Sequence, residues 1–350
     1  MCGSLALWDM LVPVTQSTGK NRMNERQDSA DIDLMTEIAT LYYVQGETQE
    51  VIANRLGLSR VRVGRLLKRA QAEGIVDVRV RQHPAVSAEI EQELKRRFGL
   101  KRALIALDNA DLDVQRSAVA SLVADHLSRS LADGQIVAVG MGRNVGAVAD
   151  NVFGAESLSV SFVCAIGGSL RAGEYMNPDH ICRRMAGKFG GESETLYAPA
   201  LVQNSELRDA LYDNPTVRQT LDRARRADIA LIGVGDVSEN SNMVRMGWFT
   251  AQEIAEARLS GTVGDMMGYD FIDIHGRPSA TPMQGRVIGL NIQDLIRIPD
   301  VIAIASENTK AVGILGALRT GVIDTLATSV TNAHTIIRLD EATRRGDNFP

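Results

Sequence analysis

Between Ser59 and Arg69 the chain carries Arg60, Arg62, Arg65, Lys68 and Arg69 and no acidic residue. Long cationic side chains at this density bind phosphate oxygens, and a guanidinium fork also fits the acceptor edge of guanine in the DNA major groove. The same stretch places Val63, Leu66, Leu67 and Ala70 at i, i+3, i+4 and i+7, which is one apolar stripe of an α-helix. The stripe anchors the helix on its own domain and leaves the cations facing out. Ser59, Arg60, Arg62 and Arg65, near the helix N-terminus, are the candidates for base edges. Thr48, Gln49, Lys68 and Arg69 are the candidates for phosphates. The plain alternative is a solvated charged face, which accounts for the charge but not for the elements around it.

Those elements suit a reading helix. Leu34, Met35, Ile38, Leu41 and Tyr42 repeat with helical spacing up to a stop near Gly46. Thr48 then serves as the N-cap of a helix with Val51, Ile52 and Leu56 inside. Gly57 supplies a positive φ for a tight turn, Ser59 caps the cationic helix, and Glu73-Gly74 ends it. From Ile75 to Arg81 valines alternate with charged residues, the period-2 pattern of a half-buried strand that would act as a wing. Residues 31–82 are therefore expected to form a winged helix-turn-helix domain bound to duplex operator DNA. A flexible tail over 1–30 precedes it, within which Met23 is a second candidate start.

The whole chain has 350 residues, a net charge of −5, 45% apolar and 23% charged residues. That composition belongs to a folded, water-soluble protein, and its acidity means that nucleic-acid affinity must come from the local cluster. Cys2, Cys164 and Cys182 have neither metal-ligand nor disulfide-scaffold spacing, in keeping with a reducing cytoplasm. No run approaches the ~20 apolar residues that span a bilayer, so no membrane partner is expected. No cofactor and no metal are expected either, because His83, His126, His180, His275 and His334 have no ligand spacing. A linker and a polar helix, with Ile90, Leu94 and Phe98 on one side, fill 83–99. Over 100–345, apolar strands at Ala103–Leu107, Ile136–Val139, Val160–Ile166, Ile229–Val234, Val301–Ala305 and Ile323–Ala327 alternate with amphipathic helices. The pattern is α/β, a mostly parallel sheet with helices on both faces. Arg344 to Pro350 reads as a frayed end.

The stretch TLYYVQGETQEVIANRLGLSRVRVGRLLKRAQAEGIVDVRV resembles the head of the SorC-type sugar-binding transcriptional regulators. AVGMGRNVG, AIGGSL, TLYAPALV, RRADIALIGVGD, GTVGDMMGYDFIDIHG, RVIGL and IPDVIAIASENTKAVGILGALRTGVIDTLAT follow the order of that family's effector domain. The resemblance covers roughly residues 34–338. It implies a Rossmann-like effector domain of the glucosamine-6-phosphate deaminase type of sugar isomerase fold, a small carbohydrate effector (sugar, polyol or sugar phosphate), and a homo-oligomer, dimer or tetramer. Regulation of carbohydrate catabolism follows from it.

Carried over by position, the resemblance places the effector at the carboxyl ends of the strands, where open α/β sheets bind ligands. Gly140, Gly142, Arg143 and Asn144 follow one strand. Gly167, Gly168 and Ser169 follow a second, and Gly233, Gly235 and Asp236 a third. Asp265 takes the place of the isomerases' acidic residue, and Lys310 opens a helix where family members hold a phosphate. Many members have an aromatic residue and a threonine where this chain has Met141 and Asn144, and a glycine pair where it has Ser306 and Glu307. A carboxylate three residues from Lys310 repels a dianion, so a neutral sugar or polyol is expected to bind better than its phosphate.

Two enzymatic readings compete. Asp265 could act as the general acid or base of a sugar-phosphate isomerase, but no histidine is recognisably placed to work with it and such an enzyme has no use for the head. A nicotinamide site would rest on Gly140-x-Gly142-x-x-x-Gly146, which lacks the dinucleotide spacing and the later acidic residue. A protein-docking role for the cationic helix lacks an aromatic anchor. The chain is expected not to be an enzyme.

Overall fold

The computed structural model describes residues 31–76, 87–153, 157–279, 281 and 283–346. The chain divides into two units, Met1–Arg81 and Gln82–Pro350.

In the first unit, helix α1 spans 31–39 and continues as a π-helical turn over Thr40–Val44, followed by α2 (Gln49–Leu56) and α3 (Arg60–Ala72). Local chemistry sets the boundaries. Thr48 Oγ1 accepts from Val51 N at 3.3 Å and Ser59 Oγ from Arg62 N at 3.2 Å, so each side chain satisfies a helix-end donor that has no intrahelical partner. Between them Gly57 sits in the left-handed region at φ 64, and Leu58 N closes the turn on Ala53 O at 2.9 Å. Met35, Ile38 and Leu41 of α1, Ile52 and Ala53 of α2, and Val63, Leu66, Leu67 and Ala70 of α3 share one core. The expected wing falls mostly on residues 77–81, and it lies outside the described residues together with the tail.

The second unit begins with α4 (Ala88–Phe98), β1 (Arg102–Ala106), α5 (Leu112–Ser130), β2 (Ile136–Val139), α6 (Arg143–Asp150) and β3 (Ser161–Cys164). One-turn α7 (Gly173–Met176), α8 (Pro178–Phe189), β4 (Glu192–Glu194), α9 (Ser205–Asp213), α10 (Pro215–Arg225) and β5 (Ile229–Asp236) follow. Then come α11 (Asn242–Arg245), α12 (Ala251–Leu259), β6 (Thr262–Met266), β7 (Asp270–Asp273), α13 (Ile292–Leu295), β8 (Asp300–Ile304), α14 (Ala311–Arg319), β9 (Thr325–Ser329) and α15 (Val330–Gly346). The strand order is β1-β9-β8-β5-β2-β3-β4, and every pairing along this path is parallel. β6 and β7 form an antiparallel hairpin on the end of β5, with Gly235 paired to Asp265. After β2 the chain moves outward through β3 and β4, then returns to place β5 on the other side of β2. The loops leaving β2 and β5 thus diverge and open a crevice at their carboxyl ends.

Two expectations need correction. The polar helix of 83–99 is not a free linker: Leu94 of α4 is fully buried in the core of this unit. Arg97 of α4 reaches Asp340 of α15 at 3.4 Å and Glu341 at 2.6 Å, while the fully buried Asp340 also holds Arg319 at 2.8 Å and Arg344 at 2.9 Å. That last contact is the second correction. The chain end is helical through Gly346, because Arg344 pairs back one turn onto a buried carboxylate.

Candidate ligand cavity and cationic helix

On α3 the residues opposite the buried stripe are exposed, and Arg60, Arg62, Arg65 and Lys68 form no ion pair with any described residue. Arg69 differs. Its Nη1 lies 2.7 Å from Asp31 and its Nε 2.5 Å from Glu73, so its charge is already used to tie α3 to α1. Thr48 and Ser59 are employed as caps. Gln49 sits where α2 and α3 approach most closely, since a Cβ on Gly64 would come within 3.3 Å of its Oε1. Sequence reading grouped these residues by type; only the structure separates the free cations from the occupied ones.

At the carboxyl ends of β2 and β5 lies a cavity of about 740 Å³. It is lined by Gly142, Arg143 and Asn144 after β2, Gly233, Gly235 and Asp236 of β5, Asp265 of β6, and Lys310 before α14. Gly140, Gly167, Gly168 and Ser169 are not in that lining. Gly140 N bonds Leu231 O at 2.9 Å, Gly167 N bonds Ile288 O at 3.0 Å and Gly168 N bonds Ala198 O at 3.0 Å, so these glycines serve close backbone packing. Ser169 Oγ accepts from Trp248 Nε1 at 3.2 Å and thereby orients an indole that does line the cavity. Gly142, at φ 116, is the N-cap of α6 and offers no side chain, which leaves the first N–H groups of that helix without a capping partner.

The floor is acidic and tightly organised. Asp265 is 1% exposed; burial pushes its carboxyl up to about 7, Asp236 adds to the rise, and Lys310 works against it. Its Oδ2 is buried without a partner, while the backbone of Gly268 bonds the carboxyl. Residue 235 must be glycine here, because a Cβ would lie 2.0 Å from that Oδ2. Glu307 lies 3.0 Å from Lys310 Nζ and accepts from Asn144 Nδ2 at 2.9 Å; Asn144 Oδ1 in turn accepts from Ser306 Oγ at 2.6 Å. Burial pushes the Glu307 carboxyl up, but Lys310 and Asn144 outweigh it and hold it down at about 2. Met141 belongs to the lining as well, so the departures from the family pattern cluster in this one place.

Sequence reasoning missed Arg116, Arg245, Arg258 and Trp248, which also line the cavity. No motif marks them; they come from α5, α11, α12 and the loop between the last two. Arg116 is 8% exposed, its Nε has no partner, and Nη2 stands 3.8 Å from Glu307. Arg143, Arg245 and Arg258 form no ion pair with any described residue. No histidine lines the cavity. Among the described residues no group of His, Cys, Asp and Glu is arranged to hold a metal, and no helix is long and apolar enough to cross a membrane.

Residues 82–338 match the family described as "Putative sugar-binding domain", and the chain belongs to that family. The solved structure "Putative Sugar-Binding Domain of Transcriptional Repressor" from Vibrio fischeri is 51% identical. It covers 73% of this chain and 100% of its own, with a TM-score of 0.69. The full-length sorbitol operon regulator SorC from Klebsiella pneumoniae is 29% identical over 88% of this chain and 99% of its own, with a TM-score of 0.66. The transcriptional regulator LsrR of Enterobacter sp. (strain 638) is 30% identical over 317 residues, 88% of this chain and 93% of that protein. The chain is a SorC-type transcriptional regulator with a sugar-binding domain, in a family of regulators and not of enzymes.

Proposed function

We propose that α2 and α3 form the helix-turn-helix of a winged DNA-binding domain. In this reading the regulator binds inverted operator half-sites as a homo-oligomer, dimer or tetramer, in the cytoplasm. A small carbohydrate in the cavity controls its affinity for DNA, and the genes regulated serve carbohydrate catabolism, as the sorbitol operon regulator's name suggests for that relative. Arg60, Arg62 and Arg65 are the base-edge and phosphate contacts at the front of α3, with Ser59 at its N-terminus. Lys68, Thr48 and Gln49 flank them on the backbone side. The observation that carries the proposal is a division of charge within one chain: four exposed cations of α3 are without ion partners, whereas the charged floor of the cavity is buried and paired.

In the cavity, Asp265 and Asp236 accept from carbohydrate hydroxyls, and Asn144 bridges them to Glu307. An acidic substituent has its place at the uncapped start of α6, between Arg143 and Arg116, because Lys310 is compensated by Glu307. The unpaired arginines of the lining favour a phosphate ester over the parent polyol, the reverse of the order expected from Glu307 alone. Lys310 and Val312 at the start of α14 line the cavity, while Arg319 at its far end is clamped to Asp340. Asp340 also holds Arg97 of α4, the first helix after the head along the chain. One rigid helix thus links ligand contacts to the element that leads back to the head, and ligand and DNA affinities must be linked reciprocally.

The test begins with selection of bound duplexes from a random library, followed by a thermal-shift screen of pentoses, hexoses, polyols and their phosphates. A carbohydrate that binds the folded protein raises its melting temperature. The same compound must change affinity for the selected duplex. A chain that selects no duplex, or a ligand that leaves DNA affinity unchanged, overturns the proposal.

A further inference from the structure

Val61 lies between Arg60 and Arg62 in the first turn of α3 and is 64% exposed. At 3.6 residues per turn, Val63, Leu66, Leu67 and Ala70 face the core, and the direction diametrically opposite is that of Val61, Arg65 and Lys68. Val61 therefore stands at the centre of the outward face, one turn ahead of Arg65. It has no task within the head: it is absent from the core, the cap is supplied by Ser59, and a β-branched residue does not favour a helix. Around it, Arg60, Arg62, Arg65 and Lys68 are without ion partners among the described residues. This surface complements a polyanion and holds one branched aliphatic group at its middle. In the major groove, the apolar feature that such a group can meet is the 5-methyl of thymine.

We infer that Val61 is a specificity-determining residue of the regulator, contacting a thymine methyl group in each half-site while the neighbouring arginines hold phosphates and guanine. The inference rests on the proposed role of α3 as the reading helix. Arginine contacts set the guanine positions, and Val61 sets an adjacent T·A pair whose orientation only a methyl contact distinguishes in this way.

The test uses the full chain and duplexes selected from a random library. Each thymine of the selected half-site is replaced singly by uracil, which removes the methyl group and keeps every hydrogen bond. At one position per half-site, uracil is expected to weaken wild-type binding by roughly three- to tenfold, the size of one buried methyl contact. Val61→Ala should bind the thymine and uracil duplexes equally, and Val61→Thr, which keeps one branch, should retain part of the preference. Because the side chain is exposed, thermal stability should not change in either variant. The inference is overturned by a selected half-site without a preferred thymine, by uracil that costs nothing anywhere, or by a thymine preference that survives in Val61→Ala. Selection of no duplex at all overturns the reading-helix assignment itself, a result distinct from duplex binding without methyl dependence.

Discussion

The head and the cavity use similar residue types under opposite conditions. Arg60, Arg62, Arg65 and Lys68 lie in water with no carboxylate beside them, so their field extends over a Debye length and responds to salt. Lys310, Glu307, Asp265 and Asn144 lie in a confined, poorly solvated space where each charge is fixed by another group. The first arrangement suits a long polyanion approached from solution. The second suits a small ligand with a few hydroxyls, recognised at short range and sensitive to protonation. Exposure, more than residue identity, decides which partner a charged residue serves.

The largest effect on this contrast is expected from Arg62→Ala combined with Arg65→Ala. Specific duplex binding should fall to the non-specific level, a loss on the order of a thousandfold or more. The apolar stripe of α3 is untouched, so circular dichroism should show a folded head. In the wild type, log affinity should fall steeply with log salt concentration, through counterion release, and the double variant should have a shallower slope. An unaltered affinity in gel-shift titration would show that the exposed cations of α3 do not read DNA.

The next effect belongs to the cavity. Asp265 has a folded pKa of about 7 against an ordinary 3.8, so the folded state holds its proton more tightly than the unfolded state. Its contribution is therefore most favourable below about pH 4 and is lost as pH rises through the window up to about 7. A shift of this size corresponds to a few kcal/mol at most, on the order of 1.4 kcal/mol per unit. Asp270, raised by burial to about 7 as well, adds a slope of the same sign. Asp265→Asn should leave stability at pH 4 close to wild type, make the protein more stable at pH 8 in urea unfolding, and weaken carbohydrate binding at both. A pH dependence unchanged by the substitution would mean that the carboxyl is not the buried titrating group.

Parts of this contrast can be read in the sequence and parts cannot, for physical reasons. The strands at Ile136–Val139 and Ile229–Asp236 are legible because a parallel strand covered on both faces needs a continuous β-branched or aliphatic run. β4 is three residues, Glu-Ser-Glu, held at the sheet edge by backbone pairing with β3, so no apolar pattern announces it. The β6–β7 hairpin is compressed into a segment whose glycines and aspartate mark a ligand site before they mark strands. Gly142, Asp236, Asp265 and Lys310 were legible because they end strands or begin helices. Arg116 was not, because in the sequence it is one more cation on a long helix, and only the tertiary fold buries it beside Glu307.

A smaller effect follows from the ion pair on the cavity floor. Glu307→Gln removes the charge that compensates Lys310 while keeping an amide oxygen within reach of Asn144. A phosphorylated effector should then bind roughly tenfold more tightly, whereas the neutral parent sugar should change little. Paired calorimetric titrations of the two ligands against wild type and variant measure this directly. Equal gains for both ligands would place the effect in cavity shape and not in charge.

The smallest effect is expected at Arg69, which the sequence places with its neighbours and the structure sets apart. Its guanidinium already bonds Asp31 of α1 and Glu73 at the end of α3, and both bonds raise its pKa above the ordinary value. A cation occupied in this way has less charge to offer a phosphate, and an exposed ion pair contributes little because water and salt screen it. Arg69→Ala should therefore change duplex affinity by less than about tenfold and leave the salt slope near that of wild type. Any loss of head stability should be visible at low salt and fade at high salt. If Arg69→Ala instead matched the double variant of Arg62 and Arg65, the ion pairs with Asp31 and Glu73 would have to open on DNA binding. The distinction between free and occupied cations would then describe the unbound head alone.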